Sequence, residues 1–212
     1  MKLYSYFRSS AAFRVRIALN LKQLNYEIIP VHLTKNGGEQ HSSSYLALNP
    51  MGLVPCLETD AGLLTQSYAI CEYLNDVQPE PPFLPADLSE RAWVRSVCNI
   101  VACDIHPVNN LRVLNYLTKT LGHDEAQKMA WYRHWITQGF DGLEKLLAQK
   151  SGKHSWGNTI TMADIFIIPQ VANALRFVCP MDTYPTLQRV YDNAMTLDAF
   201  RLAAPGAQPD AE

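Results

Sequence analysis

Hydrophobic and polar positions change period twice along the 212 residues. Short runs of strand character come first, at 2–7, 26–33, 53–59 and 62–65. Between the first two, residues 10–22 place Val15, Ala18, Leu19 and Lys22 at helical spacing. Residues 34–50 are polar, with Gly37 and Gly38 and a run of serines, which predicts a loop with a short helix. Pro30 belongs at an edge or bend of its strand, and Pro55 interrupts the third strand. Residues 66–77 form an amphipathic helix that stops before the Pro79–Pro82 cluster. The order is β-α-β, then a β-hairpin and a helix.

The stretch 78–90 is rich in proline and poor in periodicity, so it reads as a boundary, with the linker proper at 81–87. After it only helical spacing remains. A long helix is predicted over 88–120, bent near Pro107, and a second over 124–149. A third, 161–177, opens with Thr161-x-x-Asp164, a capping box with Asp in the usual Glu place, and is kinked rather than broken by Pro169. Short helices follow at 184–195 and 197–203, and the tail from Pro205 is polar and poorly patterned. The domains expected are 1–80, mixed α/β, and 88–212, all helical.

Composition narrows the class. Nearly half the residues are hydrophobic and under a fifth charged, as in a folded globular protein. A net charge of −2 gives no general attraction to nucleic acid or anionic lipid. No apolar run reaches transmembrane length and no signal peptide is evident, so a cytoplasmic protein is expected. Five cysteines without a CxxC pair suggest buried, reduced thiols rather than disulfides or zinc, and six scattered histidines make a metal site unexpected.

Several constellations could carry chemistry. Ser9 and Ser10 stand where a strand ends and a helix begins. One hydroxyl suffices for an N-cap, so the second is surplus. A helix start at the end of the first strand of an α/β unit favours an anion, and a thiolate would gain both the dipole and a hydroxyl donor. No cysteine stands here, since Ala11 and Ala12 follow, so a thiol must be brought in. Val54–Pro55 is either an ordinary trans proline at a strand edge or a cis bond that turns the Val54 backbone towards an extended ligand. Gln66 and Ser67 begin a helix directly after a strand, where Ser67 either caps or meets a carboxylate. Arg8, Arg14, Arg16, Arg112 and Arg176 could meet an acidic substrate, and Asp104, His106, Asn109, Asn110 and Arg112 cluster near the predicted bend.

Together these motifs resemble the zeta class of glutathione transferases, which includes maleylacetoacetate and maleylpyruvate isomerases. The resemblance spans the chain and is carried by "RSSAAFRVRIALNLK", "ALNPMGLVPCLE", "QSYAICEYL", "MADIFIIPQVANALRF" and "AFRLAAPGAQPD". It implies the glutathione transferase fold: a thioredoxin-like N-terminal domain with a mixed four-stranded sheet and an all-helical C-terminal domain. It also implies a homodimer and glutathione as the thiol. Ser9 would activate the sulfur with Ser10 beside it and Arg14 near. Val54, before a cis Pro55, would pair with the tripeptide backbone. Gln66 and Ser67 would hold its γ-glutamyl end, Gln40 its glycine end, and Asp104 the γ-glutamyl amine of the partner subunit. Arg8, His106, Asn110, Arg112 and Arg176 would line the pocket of a dicarboxylate substrate.

The implied activity is glutathione-dependent cis–trans isomerisation by reversible thiolate addition, in aromatic amino-acid catabolism. Two departures bear on it. Ala11 stands where many members have cysteine. Leu111-Arg112 stands where two adjacent arginines are expected of a maleylpyruvate isomerase, which turns the choice towards maleylacetoacetate. Other readings are a transferase acting on α-halo acids, or a binding module without activity. A glutaredoxin-type oxidoreductase fits least, because RSSAAF is not CxxC.

Overall fold

A computed structural model describes all 212 residues. The chain forms two compact units, Met1–Pro82 joined by Met195–Glu212, and Phe83–Ala194. In chain order the strands are β1 (Lys2–Ser5), β2 (Glu27–Pro30), β3 (Cys56–Thr59) and β4 (Gly62–Thr65). The helices of the first half are α1 (Ser10–Leu21), α2 (Ser43–Leu48) and α3 (Ser67–Val77). Those that follow are α4 (Leu88–Asn99), α5 (Leu111–Asn115), α6 (Glu125–Lys150), α7 (Met162–Arg176), α8 (Pro185–Ala194) and α9 (Asp198–Arg201).

The first unit is built on one sheet of order β2-β1-β3-β4, with β1 parallel to β2 and antiparallel to β3. Leu3 pairs with Ile28 on one side and Leu57 on the other. The strands are shorter than their sequence signatures. Pro30 closes β2 on the sheet edge, and β3 starts only at Cys56, because Pro55 has no N–H to give a ladder. The α1 helix is buried on every side, with Phe13, Val15, Ile17 and Leu19 in the core, and it packs against α3.

Two arginines of α1 are buried with the apolar residues. Arg16 is fully buried, and its guanidinium holds four groups at once. It donates to Ala203 O at 2.8 Å, Ser5 Oγ at 2.9 Å, Phe7 O at 3.1 Å and Tyr6 O at 3.5 Å. Burial pushes this guanidinium down to about 10, so it remains charged near neutrality. The clasp explains why the C-terminal residues leave the helical unit. The sequence placed everything from 88 onward in one helical domain, yet residues 195–212 join the sheet unit. Ala203 O and Ala199 O accept from Arg16 and Asn20 of α1. Asp210 Oδ2 accepts from Phe7 N at 3.0 Å, and Gln208 is buried. A tail that looked unpatterned is thus fixed by polar contacts, which leave no hydrophobic period to read.

The second unit is helical. Its central rod is α7, where every residue from Met162 to Val171 is buried. The predicted capping box is present. The Asp164 carboxylate accepts from Thr161 N and from Ser155 N, both at 2.8 Å. Burial raises the pKa of this carboxyl and those two N–H bonds pull it back. The α7 helix runs unbroken through Pro169. The long helix predicted over 88–120 is instead broken in two. After α4 the backbone widens to a π-helical stretch at Ile100–Ile105, tightens to a 3-10 turn at Pro107–Asn109 and becomes extended at Asn110. Asn110 Oδ1 then accepts from Arg112 N at 3.1 Å and caps α5. Gly139 of α6 has a packing reason here, since a Cβ at that position would collide with Ile105 Cδ1.

Replacing Arg16 by Met keeps most of the volume but strands buried acceptors on both the sheet and the tail. Arg16→Met is expected to lower unfolding free energy by about 3–5 kcal/mol, the sum of two or three orphaned buried acceptors. Urea unfolding followed by circular dichroism measures it, and a loss below about 1 kcal/mol would remove the clasp from the list of stabilising contacts.

Candidate active site

Ser9 is the N-cap of α1. Its Oγ accepts from Ala12 N at 3.1 Å, and its own N–H donates to Tyr6 O at 2.9 Å. A hydroxyl that already accepts keeps its proton to donate elsewhere. Ser9 is half-buried, whereas Ser10, the first residue of α1, is buried. The pair therefore divides as its sequence suggested, one hydroxyl capping and one surplus. Arg8 is exposed, with its guanidinium 4.8 Å from the Phe7 ring centroid.

The Val54–Pro55 peptide bond is cis. Val54 is half-buried and lies ahead of the β3 ladder. The preceding residue is braced, since Leu53 O accepts from Tyr45 Oη and from Asn49 Nδ2, both at 2.7 Å. No sequence pattern marks this brace, because its donors lie several residues away in and just after α2.

Gln66 precedes α3 in a conformation that amino acids other than glycine seldom take, φ 68° and ψ 113°. Such a backbone costs about 1–3 kcal/mol. Its side chain is exposed and makes no capping bond to the helix. Ser67, buried as the first residue of α3, does not act as the N-cap. Its Oγ accepts instead from Arg14 Nη1 at 3.2 Å. Arg14 was a candidate to touch substrate. At 1% exposure it lies beneath Ser67 and does not reach solvent.

Gln40 is likewise turned inward. It is buried, and its Nε2 donates to Leu33 O at 3.3 Å. Its loop is held by groups that no spacing rule identifies. His32 Nδ1 accepts from Lys35 N at 2.9 Å, the Glu39 carboxylate accepts from His32 N at 2.7 Å, and Lys35 Nζ pairs with Glu212.

In the helical unit, the broken stretch gathers the polar cluster. Asp104 is exposed at the end of the π-helical segment, His106 is half-buried at its C-cap, Asn110 caps α5 and Arg112 is exposed. Asn109 is buried and donates to Tyr132 O at 3.1 Å, so it serves the scaffold. Arg176 ends α7, exposed and 4.8 Å from the Phe177 ring. Directly after it the chain closes in a Schellman motif. Cys179 N donates to Ala174 O at 3.0 Å and Val178 N to Leu175 O at 3.1 Å. The position that normally takes glycine holds Val178, at φ 53°.

Four cysteines are buried, and Cys103 is exposed, contrary to the expectation that all five are covered. Burial raises the thiol pKa of Cys56, Cys71 and Cys179, Cys71 to about 12. No cluster of three or more His, Cys, Asp or Glu could hold a metal ion, and no helix is long and apolar enough to cross a membrane.

Residues 1–76 match the model for the glutathione S-transferase N-terminal domain and residues 110–199 that for its C-terminal domain. With this sheet order and a cis-proline before β3, the fold and site define the class: the chain belongs to the glutathione S-transferase family. Its relatives place it in the zeta class. It is similar to the probable maleylacetoacetate isomerase of Vibrio cholerae, with 49% identity over 99% of this chain and 97% of the relative. It is similar to the holo structure of a maleyl pyruvate isomerase, a bacterial glutathione S-transferase of the zeta class. That structure has 50% identity and a TM-score of 0.97, with both chains fully covered. The maleylacetoacetate isomerase of Methylobacterium extorquens, solved with bound malonate and GSH, has 37% identity and a TM-score of 0.95, again with both chains fully covered.

Two measurements check this geometry. In the native protein at pH 8, one thiol, Cys103, should react with a chromogenic disulfide within minutes, and all five should react after denaturation. A second fast-reacting thiol would contradict the burial. Val178→Gly should raise the unfolding free energy by about 1 kcal/mol by removing the left-handed strain of a β-branched residue, and an equal or lower thermal midpoint would refute it.

Proposed function

We propose that the protein is a glutathione-dependent cis–trans isomerase that converts maleylacetoacetate to fumarylacetoacetate, acting as a homodimer in the cytoplasm. The observation that carries the reading is the Ser9 hydroxyl, oriented by Ala12 N–H at the start of a 12-residue helix, with no protein thiol beside it. A donor at a helix N-terminus with no anion of its own suits an incoming thiolate. The remaining residues fit a peptide thiol. Val54 stands outside the ladder with its backbone available to an extended chain, and the start of α3, with Ser67 and Gln66, suits a carboxylate. Gln40 can serve the glycine end only through its backbone or after turning outward, given its inward amide.

Bound glutathione supplies a thiolate that adds reversibly to the conjugated double bond, lets it rotate as a single bond and is regenerated on expulsion. Ser9 donates a hydrogen bond from its hydroxyl to the thiolate sulfur and keeps its proton, with Ser10 beside it. The size of this effect is bounded. Lowering a thiol pKa from ~8.5 to ~6.5 raises the ionised fraction at pH 7 from about 3% to about 75%, roughly 25-fold. The rest of the acceleration falls to positioning, and to cations that stabilise the negative charge developing on the substrate. Arg8 and Arg176 are assigned to the substrate's carboxylates, and His106, Asn110 and Arg112 are assigned as further substrate contacts. Asp104 is assigned to the γ-glutamyl amine bound by the partner subunit.

Maleylpyruvate is the second reading. The similarity to a maleyl pyruvate isomerase favours it, and Leu111 in place of an arginine opposes it.

Both cis-diacids should be assayed side by side, with and without glutathione. Turnover of maleylacetoacetate should need glutathione without consuming it, and turnover undiminished by its removal would end the proposal. Ser9→Ala is expected to cut turnover about 25-fold while glutathione affinity moves less than threefold. Equal losses would take sulfur activation away from Ser9. Arg176→Ala should raise the Michaelis constant for the diacid about tenfold, and an unchanged constant would remove Arg176 from the pocket.

A further inference from the structure

Three consecutive residues of α6 hold two stretches of chain that the functional reading assigns to the substrate. Trp131 Nε1 donates to Val108 O at 2.9 Å, and Asn109 Nδ2 donates to Tyr132 O at 3.1 Å, which fixes the turn just before Asn110. Asn173 Nδ2 donates to Tyr132 Oη, and Arg133 Nε donates to Phe177 O at 3.3 Å, which fixes the end of α7. The Phe177 ring completes a chain of contacts. Its centroid lies 4.2 Å from that of Tyr132 and 4.8 Å from the Arg176 guanidinium. Tyr132 is buried, whereas Arg176 is exposed. We infer that Tyr132 is a positioning residue for Arg176, acting through Asn173 and Phe177 without itself touching substrate.

Two physical effects follow from this placement. Arg176 is the last residue of α7, and helix ends fray. Asn173 lies three residues before it, on the same helical face, and Phe177 directly follows it. Pinning both neighbours to Tyr132 holds the backbone that carries the cation, so less ordering is left to do when an anion binds. The second effect is electrostatic. Burial raises the pKa of the Tyr132 hydroxyl, and the Asn173 hydrogen bond and the Arg176 charge lower it by less. The hydroxyl therefore stays neutral, and Tyr132 adds no negative charge to compete with a substrate carboxylate for Arg176. The inference rests on the assignment of Arg176 to a carboxylate of the diacid. It gives α6, which supplies no substrate contact in that assignment, a part in holding the anchor.

Steady-state kinetics with maleylacetoacetate as the varied substrate tests it. Tyr132→Leu removes the hydrogen bond and the ring contact, and should raise the Michaelis constant for the diacid about tenfold with kcat within about twofold of wild type. Tyr132→Phe keeps the ring and loses only the hydrogen bond. It should raise that constant about threefold, and it decides the matter alone if Tyr132→Leu does not fold. In an Arg176→Ala background, neither change should move the constant more than about 1.5-fold, because the anchor being positioned is gone. The Michaelis constant for glutathione should keep its wild-type value throughout. An unchanged constant for the diacid in Tyr132→Phe, a matching loss for glutathione, or the same rise with and without Arg176 overturns the inference. An Arg176→Ala protein with the wild-type constant for the diacid would instead overturn the assignment of Arg176 on which it rests.

Discussion

A single buried cation sets the geometry of the sheet unit. Arg16 binds the carbonyls of Tyr6 and Phe7 just beyond β1, the hydroxyl of Ser5 within it, and Ala203 from the far end of the chain. All four acceptors are neutral, so the arrangement is a charge solvated by the protein in place of water. Hydrophobic burial alone would let α1 slide along the sheet. Four directional bonds from one rigid fork do not, and Ser9, two residues after Phe7, inherits that register. The Asp210 carboxylate on Phe7 N reinforces it from the tail.

Much of this architecture was legible because it is periodic. The β-α-β start, the hairpin, α3, α6 and α7 all follow from apolar spacing, and the Thr161-x-x-Asp164 box appears as written. The parts that were not legible are set by polar contacts between distant residues. Asn110 ends one helix and starts another through its own side chain, which a helical period running through it conceals. The tail joins the sheet unit because of Arg16 and Asp210, residues whose type says nothing about their partners. The same limit governed the site. Ser9 can be placed at a helix start from sequence alone, but nothing in the type or spacing of Arg14 and Gln40 shows that both side chains are buried.

The protein's own thiols sit mostly in apolar surroundings that hold them protonated, while the Ser9 turn, with its hydroxyl donor, has none. This separation is chemically useful. A cysteine placed beside an activating serine would itself become the low-pKa nucleophile and would compete with a diffusible thiol for electrophiles. In the proposed mechanism the Ser9 turn supplies the activating environment and the sulfur comes from glutathione.

The backbone at Gln66 carries one consequence for engineering. Any method that chooses residues by backbone comfort will select glycine there, since no other amino acid accepts φ 68° with ψ 113° at low cost. The gain in thermal resilience would come with the loss of an exposed amide poised at the mouth of a helix. With Gln66 assigned to glutathione as proposed, a library enriched for heat resistance should drift towards variants that fold well and hold that ligand poorly, and this one position should be kept fixed while the rest of the chain is optimised.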